Sequence, residues 1–430
     1  MRRSRMGRIA IVEGVRTPFV KAWTLFEDIP AQRLGAICVR ELLEMTHLKP
    51  DLADEVIFGA VAQPVEASNV ARVISLYAGI PKDKRAYTVS RNCASGFESI
   101  TSALEKIRCG LDEIVIAGGT ESMSNIPLIF GKDITKIFTR LNRAKNMAEK
   151  VKLFSQMRPH HFKPVAGIAL GLTDPVCGLN MGQTAEVLAK EFGITREEQD
   201  EFSLMSHKRA VSGRMKLREE IVPVMTGRDY NIVVEDDNGP RENQAIEALC
   251  KLKPYFERQT GTVTVGNSCQ VTDGACAVLI MDEEKAKAMG YEPLGYIRAY
   301  SYIGLEPHKM GLGPVYAIPN VLKKAGLKLN DMDLVEINEA FAAQVLACIK
   351  ALSSKKFAEE NFNASEAIGQ IDMEKLNVNG GAIALGHPVG VSGSRLALTL
   401  LKEMKRRNAR FGLASLCVGG GQGGAVILER

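Results

Sequence analysis

Thr88-Val-Ser-Arg-Asn-Cys-Ala-Ser-Gly-Phe-Glu-Ser (residues 88–99) is the stretch that decides the fold. A β-branched run ends at Val89, and small residues then open a helix expected from Ala94 to Ile107. Cys93 therefore falls at a strand-to-helix junction, facing the positive end of the helix dipole. That position lowers a thiol's pKa, and the backbone N–H groups there can stabilise an oxyanion. Alone the motif is weak, because most cysteines outside disulfides are small buried hydrophobes. Two further motifs, far along the chain, change that reading.

The junction belongs to a series. Residues 8–121 alternate between strands and helices: Ile9–Val12, helix Ile29–Glu44, Glu55–Gly59, helix Ala67–Ala78, Tyr87–Ser90, the Cys93 helix and Ile114–Ala117. Residues 294–430 repeat the rhythm with Gly295–Tyr300, helix Pro314–Ala325, Leu334–Ile337, a helix from Ala340, Leu376–Val378, helix Ser392–Arg407 and Phe411–Leu416. Two matched series predict a duplicated α/β domain. In this reading the strand-to-helix step at Cys93 pairs with the one at Leu334-Val-Glu-Ile-Asn-Glu-Ala-Phe-Ala.

The middle, residues 122–261, reads as an insertion of loops and helices. Met181–Phe192 is a helix, and Thr195 with Glu198 forms a capping box for the next one. Residues 131–163 hold nine Lys/Arg against Asp133 and Glu149. Ile137, Leu141, Ala144, Ala148 and Val151 recur at helical spacing, which predicts one basic amphipathic helix over 133–156.

Composition sets the bounds. The chain has 430 residues, 46% hydrophobic and 24% charged, as a globular protein of two or three domains does. No apolar run approaches the roughly 18 residues of a membrane span. The start, Met-Arg-Arg-Ser-Arg-Met-Gly-Arg, reads as a ragged beginning rather than a signal peptide. Nine cysteines, with no Cys-x-x-Cys pair and no histidines at zinc spacing, argue for a reducing compartment, read as cytoplasmic, and against a structural metal. A net charge of +5 without a basic module argues against nucleic acid and leaves room for a polyanionic ligand.

The second motif is Asn379-Gly-Gly-Ala-Ile-Ala-Leu-Gly-His-Pro-Val-Gly-Val-Ser-Gly (379–393). His387 is the one histidine of six set among glycines, which allow close approach of a ligand. The third is Cys417-Val-Gly-Gly-Gly-Gln-Gly-Gly (417–424), between two apolar strands. Cys38, Cys109 and Cys348, on helical faces, read as core thiols.

These motifs, with Ile337-Asn-Glu-Ala-Phe-Ala, Val15-Arg-Thr-Pro-Phe, Gly118-Gly-Thr-Glu-Ser-Met-Ser, Met181-Gly-Gln-Thr-Ala-Glu, Thr262-Val-Thr-Val-Gly-Asn and Met310-Gly-Leu-Gly-Pro, resemble the thiolase family over nearly the whole chain. The resemblance implies an α/β thiolase fold: two similar α/β domains, each a five-stranded sheet between helices, in a five-layered α-β-α-β-α arrangement with an inserted loop domain. The bounds expected are 1–121 completed by 262–282, 122–261 for the inserted substrate/CoA-binding domain, and 283–430. The insertions at Ile134–Pro164 and 353–377 resemble the longer thiolases that serve as β-subunit of the fatty-acid β-oxidation complex. Those usually carry His-Glu-Ala-Phe where this chain has Asn338-Glu-Ala-Phe. The His387 and Cys417 motifs are closer to the short acetoacetyl-CoA thiolases.

The implied activity is thiolytic cleavage of 3-ketoacyl-CoA, or the reverse condensation, with CoA as substrate and no permanent cofactor. A thioester carbonyl needs a soft nucleophile, and a thiolate is one. Cys93 is implied as the acylated nucleophile, His387 as its base, Cys417 as the second acid/base, and Asn338 as holder of a water at the enolate oxygen. The N–H groups of Cys93 and Gly419 would form the oxyanion hole. Leu172, Met181, Phe256, Val265, Cys269 and Phe341 match the acyl and pantetheine channel. Cys269 stands where the short thiolases usually have a serine. The resemblance also implies a homodimer or homotetramer. The basic segment fits a hydratase/dehydrogenase α-subunit, an anionic membrane, or only its own domain. A decarboxylating β-ketoacyl synthase would lack the Cys417 loop; a non-catalytic acyl-CoA carrier or scaffold would have lost one of Cys93, His387 and Cys417.

Overall fold

A computed structural model describes residues 7–430; the basic stretch over residues 1–6 lies outside the described residues. Nine main strands are β1 (Ile9–Arg16), β2 (Glu55–Gly59), β3 (Arg85–Val89), β4 (Ile114–Glu121), β5 (Thr272–Asp282), β6 (Gly295–Gly304), β7 (Leu334–Ile337), β8 (Phe411–Val418) and β9 (Gln422–Glu429). The first half of the molecule orders its strands β3-β2-β4-β5-β1, and the second β7-β8-β9-β6. The two sheets meet edge to edge where Ala10 and Ile11 of β1 face Tyr296 and Gly295 of β6.

The two orders match strand for strand. In each half the two parallel pairings lie toward the outer edge and the antiparallel ones toward the join. The place of β3 in the second half is held by a single parallel bridge, Leu376 to Val335. The strand expected at Leu376–Val378 is therefore not formed. Asn377 turns the chain there with φ +44° and spends its side chain on both backbone groups of Ile337.

The main helices are α1 (Ala31–Thr46), α2 (Val70–Tyr77), α3 (Ser95–Arg108), α4 (Lys132–Arg143), α5 (Met147–Phe154), α6 (Met181–Glu191), α7 (Arg196–Arg218), α8 (Gly313–Ala325), α9 (Ala342–Ser353) and α10 (Ser392–Arg407). Strand alternation distributes the layers. Ile114 and Ile116 pack outward with α1 and α2. Val115 and Ala117 pack inward with α3 and α10, and so do Ala414 and Leu416 of the second sheet. Leu413 and Ile427 face outward onto α8 and α9. The order is thus helix, sheet, central helices, sheet, helix.

This topology corrects one expectation. The partner of the Cys93 step is not the step at Leu334, because β7 occupies the place of β2. The equivalent of α3 is α10, which follows the Leu376 bridge. The two central helices meet through Gly96 and Gly393: a methyl on Gly393 would run into the backbone N of Phe97, and one on Gly96 would come within 2.5 Å of the Ser394 N. The Ser-Gly pairs of the first and second motifs let the two first turns touch. Both helix N-termini are thereby brought to one place.

The middle segment docks through charge. Arg16, fully buried at the end of β1, pairs with Glu220 at 2.6 Å and with Asp237 at 2.6 Å. The capping box at Thr195 and Glu198 is formed. The basic helix expected over 133–156 is instead two helices, α4 and α5. Ala144 is extended, and Asn146 caps the second helix by accepting from the Glu149 N–H at 2.9 Å. The single apolar stripe is consequently lost: Ile134, Ile137 and Leu153 are buried, while Met147, Val151 and Phe154 are exposed. Cys38 and Cys348 are buried as expected, whereas Cys109 is exposed just past α3.

Candidate active site

Cys93 follows β3 through a tight turn in which Asn92 takes φ +44°. Three hydrogen bonds hold that turn. Ser95 Oγ accepts the Arg91 N–H at 2.8 Å and donates to Asn92 O at 2.7 Å. Asn92 Nδ2 donates to Gly419 O at 2.7 Å, tying the turn to the third motif. The Gly419 N–H in turn reaches the Cys93 thiol. Gly420 and Gly421 allow this approach, because both sit in the left-handed region, at φ +88° and +79°.

Cys417 pairs with Gly423 across the β8–β9 hairpin, and its side chain is 1% exposed. It packs with Ala340, Phe341, Val263 and Met310, with Met181 and Phe256 alongside. His387 is buried. Its Nδ1 lies 2.5 Å from Ser392 Oγ and its Nε2 lies 3.5 Å from Asn338 Nδ2. Its backbone N–H donates to Thr272 Oγ1 at 3.1 Å. Gly386, at φ +105°, passes so close that a methyl there would strike that same hydroxyl. Asn338 is fully buried, and its Oδ1 has no protein partner. Three motifs and the Asn338 strand end thus converge.

The electrostatics differ from the sequence expectation. Burial raises the Cys93 thiol above its ordinary range, and the N–H groups of Gly419 and Cys93 only oppose this. Desolvation outweighs those two N–H groups. Cys417 is held well above its ordinary value by burial and then by the neighbouring Cys93, so its resting form is the thiol. Cys269 is pushed up to about 12 by burial, with Cys93 the next cause. His387 is pulled down to about 4, first by burial and then by Arg395. At neutral pH the site therefore holds thiols and a neutral imidazole, and no thiolate–imidazolium pair.

A testable consequence is the pH profile of alkylation. With no imidazolium to stabilise a thiolate, iodoacetamide labelling of Cys93 should climb through and past pH of about 8.5, the ordinary thiol value. A rate plateau between pH of about 5 and 7 would show a resting ion pair instead.

The lining residues separate. Phe256 and Phe341 meet edge to face with centroids 5.9 Å apart. Met181 donates its N–H to Leu172 O at 3.0 Å, and Leu172 is half-buried. The Cys269 N–H donates to Ala340 O at 3.0 Å, beside Phe341. Val265 is not drawn in. It is 57% exposed, because the chain turns at Val265–Gly266 and leaves Val263 in the cluster instead.

Three further residues support the site. Glu121, pushed by burial to about 7, accepts from the N–H groups of Val61, Ala62 and Gly390, clamping the His387 loop. Glu339 accepts from Ser206, Asn377 and Ile383. Ser392 holds the His387 ring. All three lie inside motifs already quoted; only their contacts were hidden. A cavity of about 700 Å³ between α1 and the loop around Gly227 contains none of the motif residues. Among the described residues no group of three or more His, Cys, Asp or Glu side chains could hold a metal. No helix is long and apolar enough to cross a membrane.

Two thiols and a neutral imidazole, gathered under backbone N–H groups between duplicated α/β halves, define a thiol-dependent site on a five-layered fold. Residues 9–284 match the N-terminal domain of thiolase and residues 291–430 its C-terminal domain. The chain belongs to the thiolase family. It is 44% identical over 428 residues to a 3-ketoacyl-CoA thiolase of Pseudoalteromonas translucida, covering 98% of this chain and 97% of that one. An acetyl-CoA acetyltransferase of Bacillus anthracis has the same fold, with a TM-score of 0.85 at 36% identity over 99% of each chain. Human mitochondrial 3-ketoacyl-CoA thiolase in complex with CoA gives 0.83 at 36% identity over 98% of each chain.

Proposed function

We propose that this chain is an acyltransferase that cleaves 3-ketoacyl-CoA with CoA, and runs the reverse condensation, through an acyl-Cys93 intermediate. The observation that carries this reading is the meeting of Cys93, Cys417 and a neutral His387 around the Gly419 N–H. In thiolysis, His387 takes the Cys93 proton and the thiolate attacks the keto carbon. The N–H groups of Cys93 and Gly419 hold the tetrahedral oxyanion. The C2–C3 bond breaks, and the enolate oxygen of acetyl-CoA is stabilised by His387 and by a water on Asn338, whose buried Oδ1 lacks a partner. Cys417 protonates C2, and its thiolate then deprotonates the incoming CoA. CoA attacks the acyl-Cys93 thioester, and the released Cys93 recovers its proton from His387.

The raised thiol of Cys417 suits the first of its two tasks. A carbon acid as weak as a thioester α-position is matched better by a high-pKa thiol than by a carboxylate near 4. Phe256, Phe341, Met181, Leu172 and Cys269 line the channel for acyl chain and pantetheine, with exposed Val265 closing on the bound ligand. A thiolysis series from C4 to C16 3-ketoacyl-CoA tests the reading and sets the chain length. Absence of both turnover and an acyl adduct would favour the scaffold alternative.

Residues 122–261 act in this reading as the inserted substrate domain, between 1–121 completed by 262–282 and 283–430. The protein works as a homo-oligomer in a reducing cytoplasm, with the half-exposed edge strand β3 as one face of its dimer; a monomer mass by light scattering at micromolar concentration would count against it. Helices α4 and α5 dock an α-subunit carrying hydratase and dehydrogenase sites, or an anionic membrane. The support is their basic excess beside exposed Phe138, Met147, Val151 and Phe154. Changing Lys136, Arg140, Arg143 and Lys150 to Glu should leave acetoacetyl-CoA thiolysis almost unchanged. It should weaken partner co-purification or liposome binding, with the difference from the unaltered protein largest at low salt and shrinking as salt rises. Absence of either association for the unaltered protein at low salt makes the pair of helices purely structural.

A further inference from the structure

His387 has two ring nitrogens with different company. Nε2 faces Asn338 Nδ2 at 3.5 Å, while Nδ1 faces Ser392 Oγ at 2.5 Å. Ser392 is fully buried in the first turn of α10, and its hydroxyl also lies 3.2 Å from Pro388 O. A carbonyl oxygen can only accept, and an amide nitrogen only donates. One proton arrangement agrees with both ends of this chain of contacts. Asn338 N–H points at the Nε2 lone pair, Nδ1–H donates to Ser392 Oγ, and Ser392 O–H donates to Pro388 O.

We propose that Ser392 is a positioning residue that fixes His387 as the Nδ1–H tautomer and supports its charge when Nε2 takes the Cys93 proton. The inference rests on the site reading above and adds to it a residue that the reaction scheme does not use. The step balances: the Cys93 S–H bond breaks, an Nε2–H bond forms, and the products are a thiolate and an imidazolium. No proton leaves Nδ1.

The need for such support follows from the surroundings. Arg395 on α10 lies close enough to disfavour the imidazolium. The other groups around the ring and Cys93 are the thiols Cys269 and Cys417, with Glu121 at the end of β4 and Glu339 after β7. Burial raises the pKa of both carboxyls, that of Glu121 to about 7. The neutral hydroxyl of Ser392 is thus the acceptor in direct contact with Nδ1. Its bond becomes charge-assisted when the ring is protonated, and such bonds are roughly twice as strong as neutral ones. The Gly96–Gly393 crossing explains how Ser392 reaches the ring, since it lets the α10 N-terminus seat beside Cys93.

The test reads the resting protein and the reaction separately. In protein labelled with ¹⁵N-histidine, the His387 signal is assigned by its loss in His387→Gln. The expected result is a protonated Nδ1 and an unprotonated Nε2 at pH 7. Ser392→Ala should move the signal toward the Nε2–H tautomer. It should also lower kcat about 10- to 100-fold, the scale of one hydrogen bond to a charged group, with KM changed less than about threefold. Ser392→Thr keeps the hydroxyl and should restore both. A protonated Nε2 in the unaltered protein, or an Ser392→Ala enzyme with unchanged tautomer and unchanged kcat, overturns the proposal. Should Ser392→Ala fail to fold, the same spectrum of the unaltered protein and of Ser392→Thr still decides it. The tautomer is measured without turnover, so a failure of the thiolysis reading would be seen separately.

Discussion

Cys93→Ala should fold normally and lose turnover by about 10⁴-fold or more, the scale seen when a nucleophile is removed from a covalent mechanism. No acyl adduct should be found by intact-mass spectrometry after mixing with acetoacetyl-CoA. Cys417→Ala should behave differently. It keeps the nucleophile, His387 and the Gly419 N–H, so it should still accept an acyl group from acetyl-CoA. It then stalls, because nothing deprotonates the incoming thiol or C2. The contrast separates two thiols that sit in one pocket and share high proton affinity. Near-normal turnover of Cys93→Ala would refute the assignment, and so would a Cys417 variant that turns over freely.

The second large effect is on stability, and it comes from Arg16. Its guanidinium donates to Glu220 and to both oxygens of Asp237, the last at 2.6 and 2.8 Å. Asp237 also accepts the Phe19 N–H, and Glu220 accepts from Thr399 on α10. Arg16 therefore joins β1 to the middle segment and, through Glu220, to a central helix. Arg16→Met keeps much of the volume but strands two nearly buried carboxylates. Removing one partner of a buried ion pair costs about 3–5 kcal/mol. Chemical denaturation should show that loss, and limited proteolysis should cut residues 219–241 first. An unchanged midpoint would mean that the carboxylates find water or protonate without penalty, and that packing alone docks the segment.

Much of this molecule is legible in one dimension because its signals are local. Strand Leu334–Ile337 and helix Ser392–Arg407 have the bounds that apolar spacing predicts. The Thr195 capping box involves four residues and needs no partner from elsewhere. Errors cluster where a local signal was overruled. The run at 133–156 has helical spacing throughout, yet Asn146 can cap a new helix, and it does. Leu376–Val378 has strand propensity, yet Asn377 bonds to Ile337 and turns the chain. The thiol of Cys93 sits at a helix N-terminus, yet burial raises its pKa more than the Gly419 and Cys93 N–H groups lower it.

Sequence alone determined which residues could do the chemistry, because Cys93, His387 and Cys417 each carry a local signature of glycines, small residues and strand ends. It also determined that there are two α/β halves, since the periodicity of strands and helices is a property of neighbouring residues. Only the tertiary structure decided which step in one half matches which in the other, because that depends on strand order and not on spacing. It alone decided in which direction each pKa moves, since desolvation is set by what surrounds a group in space. And it alone revealed Glu121, Glu339 and Ser392 at work, because their partners lie in other strands, loops and turns that only the packed central helices bring within hydrogen-bond reach.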